Sequence, residues 1–113
     1  MMVVSIDSDG CQADWRDAQK ICRANGGRLP TIDELKKVVT ECGGTMEDFK
    51  NNRLNSAYQS CYKNKGFASN YYWSSTTYVG YTYYAWNVYF NFGSQSYDVK
   101  SDSNYVRCVR AGE

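Results

Sequence analysis

The chain contains no histidine. That absence removes Ser/His and Cys/His relays, and most zinc sites, from consideration. Nor is there any run of Lys or Arg longer than two, and thirteen basic against twelve acidic residues leave a formal net charge of +1, so nucleic acid and anionic membranes find no electrostatic footprint. A neutral or mixed partner is the expectation. No apolar stretch approaches the roughly 20 residues of a membrane span, and Met1-Met2-Val3-Val4-Ser5 lacks the charged and apolar regions of a signal peptide. The expectation is an excised domain, or export that depends on something outside this sequence.

What is abundant is tyrosine: nine of the eleven lie between Tyr71 and Tyr105, set among Ser, Thr, Asn, Asp and Gly. Tyr supplies large, rigid, half-polar area at low entropic cost, and Ser, Gly and Asn supply adaptable hydrogen bonds, so this mixture reads as a contact surface. At 113 residues the chain is near the modal domain size, and a single domain over 1–113 is expected. Five cysteines without C-x-x-C or Cys/His spacing point to disulfides. An odd count leaves at least one thiol over, and the spacing does not rank the pairings.

Asp14 fits a helix N-cap, with Asp17 at the third helical position, Trp15, Ala18, Cys22 and Asn25 on one face and Gly26-Gly27 as the stop, which predicts a helix over 15–25. Thr31-Ile32-Asp33-Glu34 is a capping box, and Ile32, Leu35, Val38, Val39 and Cys42 form an apolar stripe ending at Gly43-Gly44, predicting a second helix over 32–42. Thr45 to Asn55 reads as polar and irregular. Ala57, Tyr58, Cys61 and Tyr62 outline a short third helix stopping near Gly66.

Past Gly66 the period shortens to two. Between Tyr83 and Phe92 the even positions are Tyr84, Trp86, Val88, Phe90 and Phe92, and the odd ones Tyr83, Ala85, Asn87, Tyr89 and Asn91, the alternation of a half-buried strand. Even side chains, with Trp73, are assigned to the core. Gly93-Ser94 fits a two-residue hairpin turn that pairs Phe92 with Gln95, Phe90 with Tyr97 and Val88 with Val99. Tyr71–Ser75 is a further strand, and Tyr105–Arg110 a last one, with Val106 and Cys108 inward and Arg107 outward or the reverse. Val3 to Ile6 is placed as an edge strand beside it. Helices followed by an antiparallel sheet make an α+β fold.

The candidate ligand-binding residues are those the pattern leaves open: Tyr78, Tyr81, Tyr83, Asn87, Tyr89, Asn91, Ser96, Asp98, Lys100 and Asn104. For catalysis the remaining route is paired carboxylates, and Asp98 with Asp102, the only pair within the aromatic region, reads as a surface pair. The expectation is a chain that is not an enzyme and needs no cofactor. Asp7-Ser8-Asp9-Gly10 opens like a calcium loop without the later Glu and is assigned to a turn. Arg107 and Arg110 are expected to lie over aromatic or carboxylate neighbours.

Trp15, Ala18 and Cys22 in W-x-x-A-x-x-x-C, then Gly26-Gly27-Arg28-Leu29, Ile32 and Glu34, resemble the first half of the C-type-lectin-like fold. Four ordered motifs are more specific: Arg28–Leu35, Tyr72-Trp73-Ser74-Ser75-Thr76, Ala85-Trp86-Asn87-Val88 and Tyr105–Arg110 resemble the bacterial family typified by the C-terminal domain of the Legionella collagen-like adhesin. The resemblance spans Trp15 to Arg110. It implies a lectin-like domain of an extracellular, cell-surface or phage protein that binds a protein or glycan, with a homotrimer-like assembly role for the aromatic face as the alternative. It further implies disulfides Cys22–Cys108 and Cys42–Cys61. Cys11 then falls outside both, as a thiol or in a bond outside this chain.

Calcium-dependent lectins carry E-P-N or Q-P-D plus W-N-D, whereas this chain has only Pro30 and reads Trp86-Asn87-Val88, so calcium-dependent sugar binding is not implied. The fold is shared with formylglycine-generating enzymes, but this chain is far shorter and its cysteines read as staples. A further resemblance is to variable proteins of diversity-generating retroelements. There, positions such as Asn87, Tyr89, Asn91, Ser94, Ser96, Tyr97 and Asp98 would vary over a scaffold of Trp86, Val88, Phe90 and Gly93.

Overall fold

A computed structural model describes residues 3–4, 11–46 and 48–110. The first helix, α1 (Trp15–Ala24), starts where Asp14 accepts the Asp17 backbone N–H and buries Ala18 and Cys22. The second, α2 (Ile32–Glu41), carries the full capping box, with the Thr31 side chain on the Glu34 N–H and the Glu34 side chain on the Thr31 N–H. Its buried stripe is Leu35, Val38 and Val39.

The segment expected to be irregular contains a helix, α3 (Phe49–Leu54), capped by Asp48. It has no apolar stripe to announce it. A polar residue anchors it instead: Asn52, buried, exchanges hydrogen bonds with the Thr45 N–H and C=O and donates to the Phe92 carbonyl. The expected third helix is α4 (Ser56–Asn64), with Tyr58 and Tyr62 buried.

Among the described residues eight strands form two sheets. Three short ones, β1 (Val3–Val4), β8 (Cys108–Arg110) and β3 (Gly27–Arg28), lie in the order β1-β8-β3. The edge strand expected beside the last strand is present at Val3–Val4; Ser5, Ile6 and the Asp7–Gly10 turn lie outside the described residues. Gly27, expected only to stop a helix, pairs with Arg110 as a strand residue, and only glycine fits there because a Cβ would sit 2.3 Å from the Val109 carbonyl oxygen.

The larger sheet runs β2-β7-β4-β5-β6, where β2 is Gln12–Ala13, β4 Tyr71–Thr77, β5 Tyr84–Tyr89, β6 Ser94–Val99 and β7 Asn104–Tyr105. All its pairings are antiparallel except β4 with β7. The expected final strand is therefore two strands in different sheets. Between and within them Val106, Arg107, Cys108 and Val109 are all buried, so neither expected alternation holds. Arg107 donates to the Gly66 carbonyl and lies 4.7 Å from the Phe67 ring centroid, the aromatic neighbour expected of it.

The hairpin register also differs. Val88 faces Gln95 and Tyr89 faces Ser94, so the turn holds four residues, Phe90 to Gly93, instead of two. Phe90 leaves the ladder because it is worth more in the core, stacked at 4.4 Å on Phe67 and edge-on to Tyr72, with its carbonyl accepting the Tyr58 hydroxyl. Gly93 closes the turn at φ +61°, where Asn52 and Tyr58 leave no room for a Cβ.

Two cores lie on opposite faces of the sheet. Tyr72, Val88 and Phe90 join the α2 and α4 stripes, whereas Trp73 and Ala85 join Ala18 and Cys22 of α1 with Leu29, Val106 and Cys108. Adjacent residues of one strand point into different cores. Disulfides Cys22–Cys108 and Cys42–Cys61 tie one core each, and Cys11 belongs to neither bridge.

Candidate binding surface

The loop from β4 to β5 carries Tyr78, Val79, Gly80, Tyr81, Thr82 and Tyr83. It is pinned at its base by the Tyr78 N–H to the Tyr84 carbonyl and by the Tyr84 N–H to the Tyr81 carbonyl. Tyr81 and Tyr83 are 57% and 58% exposed, and Val79 at the tip is 91% exposed. Tyr78 folds back, stacked at 4.2 Å on Tyr97 and 5.1 Å from Trp86. The Tyr97 phenol beside it, with a smaller contribution from burial, raises its pKa.

Further contacts join Tyr81 to Tyr83, Tyr83 to Tyr84, and both Tyr84 and Trp86 to Tyr97. Six rings thus form one connected cluster. Contacts of this kind between rings rigidify one another, so the phenols are presented without a large ordering cost.

Beyond Tyr83 a cleft of about 600 Å³ separates the loop from the start of α1. Its walls include Thr82 and Tyr83 on one side and Trp15, Arg16, Lys100 and Ser101 on the other. Lys100 sits 4.0 Å over the Trp15 ring and donates to the Thr77 hydroxyl. Trp15 is itself held by its indole N–H on the Ser74 carbonyl, 2.8 Å away. Burial, and secondarily the charge of Arg16, lower the Lys100 pKa.

At the opposite end of β5 lies a second hollow of about 520 Å³, lined by residues including Met46, Tyr71, Tyr89, Phe92 and Ser96. Tyr71 and Tyr89 stack at 4.2 Å, and the Asn91 amide is 3.5 Å from the Tyr89 hydroxyl. Burial, then Tyr89 and Asp98, raise the Tyr71 pKa.

Between these regions the expected open face is closed. Asn87 is fully buried and donates to Asp98; Asn104, 5% exposed, points to the same carboxylate oxygen at 3.4 Å. The Asn87 Oδ1 is buried and has no hydrogen-bond partner among the described residues. After β6 the chain crosses through residues 100–103 to β7, on the far side of β4 and β5, and the Trp15 N–H ties that connection to α1 through the Lys100 carbonyl. Asn87 and Asn104 are interior, and Asp98 serves them.

The expected core faces need a matching correction. Trp73 and Phe90 are fully buried, but Trp86 is half-buried within the ring cluster and Phe92 half-buried against Tyr89. Of the expected site residues, Tyr78, Tyr81 and Tyr83 come together and border Lys100, while Tyr89, Asn91 and Ser96 gather at the other end. Sequence reasoning missed Tyr71, Tyr84 and Trp86 as surface aromatics and Trp15 as a cleft wall, and placed Tyr97 among the varying positions but not among the ligand-binding residues. Tyr97 was legible as the aromatic at the centre of a polar strand; nothing local distinguishes Trp86 from a core residue.

An α+β domain with helices packed on both faces of an antiparallel-dominated sheet, and a long-range disulfide joining its first helix to its last strand, has the C-type-lectin-like fold. The profile of the Lcl C-terminal domain, that of the Legionella collagen-like protein, matches residues 4–110, and the chain belongs to this family. It is an adhesin-like module. A comparison with curated proteins returns no match. Family and disulfides are consistent with an extracellular or surface location. Among the described residues no helix is long and apolar enough to cross a membrane.

Proposed function

We propose that this chain is a non-enzymatic ligand-binding module that docks a protein or glycan, without calcium, through the surface built by the 78–83 loop, Trp86 and Tyr97. One observation carries the reading: six mutually braced aromatic rings, with Tyr81, Tyr83 and Tyr97 between 42% and 58% exposed. Tyr and Trp clustered at a desolvated centre are the residues that dominate binding energy at interfaces. Calcium independence draws support from the W-N-V motif, whose Asn87 is interior and donates to Asp98. The test is a glycan array and a cell-surface pull-down with the purified domain, repeated with Tyr81→Ala/Tyr83→Ala. Affinity of the double variant should fall at least tenfold, equivalent to about 1.4 kcal/mol, with its melting temperature unchanged, and EDTA should leave wild-type binding undiminished. Undiminished affinity in the double variant would refute the proposed surface.

A second reading is a subunit interface. Val79, nine-tenths exposed, extends the exposed Tyr81 and Tyr83 into a patch of the kind that marks interaction surfaces. Retroelement diversification draws support from Val88, Phe90 and Gly93, which are buried, and from Tyr89, Asn91, Ser94, Ser96, Tyr97 and Asp98, which reach the surface to varying degrees; Asn87, expected to vary, is buried, and Trp86, expected as scaffold, is half-exposed. A reverse transcriptase and a near-copy of the 3′ end differing only opposite adenines, beside the gene, would establish it.

A further inference from the structure

The last strand of the larger sheet, β6, pairs with β5 on one side, and among the described residues no strand lies on the other. The Lys100 N–H to the Tyr83 carbonyl fixes the phase of the ladder. With alternation, Ser94, Ser96 and Asp98 direct their backbone groups to β5, and Gln95, Tyr97 and the Val99 N–H direct theirs outward. Gln95 and Tyr97 are exposed. Of the devices that normally guard an edge, β6 has no proline, no lysine and no bulge across its six paired positions, and its one charge, Asp98, is engaged by Asn87 and Asn104.

At the end of this edge lies the cleft with Lys100 and Arg16. Lys100 is held in place by Trp15 and Thr77, and Arg16 is exposed beside it. Among the described residues no carboxylate comes within salt-bridge distance of either cation. The acid on the cleft wall, Asp14, accepts the Asp17 N–H as the cap of α1. The ten-residue helix α1 directs its positive end toward the same space.

We infer that the free edge of β6 and this cleft form one recognition site for an extended peptide that adds as a sixth strand and places an acidic side chain between Arg16 and Lys100. Main-chain pairing along Gln95–Val99 supplies affinity, and the cation pair supplies selectivity, as strand addition does elsewhere. Alternate side chains of the peptide fall beside Tyr97 and the ring cluster. A second copy of this chain fits poorly: pairing edge to edge about a two-fold, it lays Ser94 and Gln95, neither acidic, over the cleft. This inference rests on the reading of the chain as a binding module and names the chemistry of its partner.

The experiment titrates the intact, oxidised, isotope-labelled chain with capped synthetic peptides of alternating valine and threonine. One set carries two aspartates at either end, a second carries lysines there, and a third repeats the acidic sequence with N-methylated backbone. Acidic peptides should shift the amide signals of Gln95, Tyr97 and Val99 and slow their hydrogen exchange. Arg16→Gln and Lys100→Gln should each weaken that binding by roughly tenfold, the loss of one charge-assisted contact. N-methylation should abolish it. Equal binding of acidic and basic peptides, indifference to N-methylation, or a doubling of mass as the sole response would each overturn the inference. If the charge variants bind normally while Tyr81→Ala/Tyr83→Ala still loses the cell-surface ligand, this inference fails and the broader reading stands.

Discussion

Glu34 shows how one side chain serves two structures at once. It accepts both terminal nitrogens of Arg28, at 2.8 and 3.0 Å, and the Thr31 backbone N–H at 2.8 Å. The Arg28 hydrogen bond first, then the Thr31 N–H and the Arg28 charge, pull its carboxyl down to about 2 against the opposing effect of burial. A depressed folded pKa stabilises the fold above the unfolded value, about 4.3 for glutamate, and that contribution disappears as pH falls toward about 2. Arg28 is half exposed, so solvent screening reduces the energy. Glu34→Gln is expected to lose about 1 kcal/mol at pH 6, of the order of a helix cap. Between pH 6 and pH 2.5 its melting temperature should then drop less than that of the wild type. Parallel drops in the two proteins would show the pair to be inert.

Among the elements, the disulfides act on very different lengths of chain. Cys22–Cys108 spans 86 positions and joins α1 to β8, whereas Cys42–Cys61 spans 19 and joins the end of α2 to α4. Closing the longer loop removes more freedom from the unfolded chain, roughly 4 to 5 kcal/mol against about 3. Cys22→Ser/Cys108→Ser should therefore lower the urea midpoint more than Cys42→Ser/Cys61→Ser. The reverse order would mean that local packing of α4, with Tyr58 and Tyr62 behind it, outweighs chain entropy.

For the whole molecule, the decisive feature is that helices cover the sheet on opposite faces at opposite ends. The α2 and α4 stripes take Val88 and Phe90; α1 takes Ala85, and Asn87 is buried on that side with Asp98 as its partner. What remains uncovered is the 78–83 loop with Trp86 and Tyr97 at one end, and Tyr71 with Tyr89 at the other. If the first of these is a ligand surface, sedimentation should return the mass of one chain, 12.9 kDa, with Tyr81 and Tyr83 open to modification. A stable oligomer that shields both tyrosines would transfer the surface to subunit assembly.

Local chemistry was enough to place α1, α2 and α4 and to set the class as α+β, whereas the lectin-like fold was legible through the resemblance of the ordered motifs. Caps at Asp14 and Thr31, stripes at 3.6-residue spacing and alternation from Tyr84 to Tyr89 are each written within a few positions of one another, and they need no distant partner to be read. Helix α3 escaped because its anchor, Asn52, works through Thr45 and Phe92, a contact that no propensity records. The same reasoning separates the site residues. That Tyr81 and Tyr83 are exposed follows from a polar loop around them. That Asn87 is interior, Trp86 half-open and the hairpin four residues long was decided by tertiary structure, because a strand's two faces are alike until something packs on one of them. Here different helices pack on each face, so burial changes sides midway along β5 while the sequence alternation runs on unchanged.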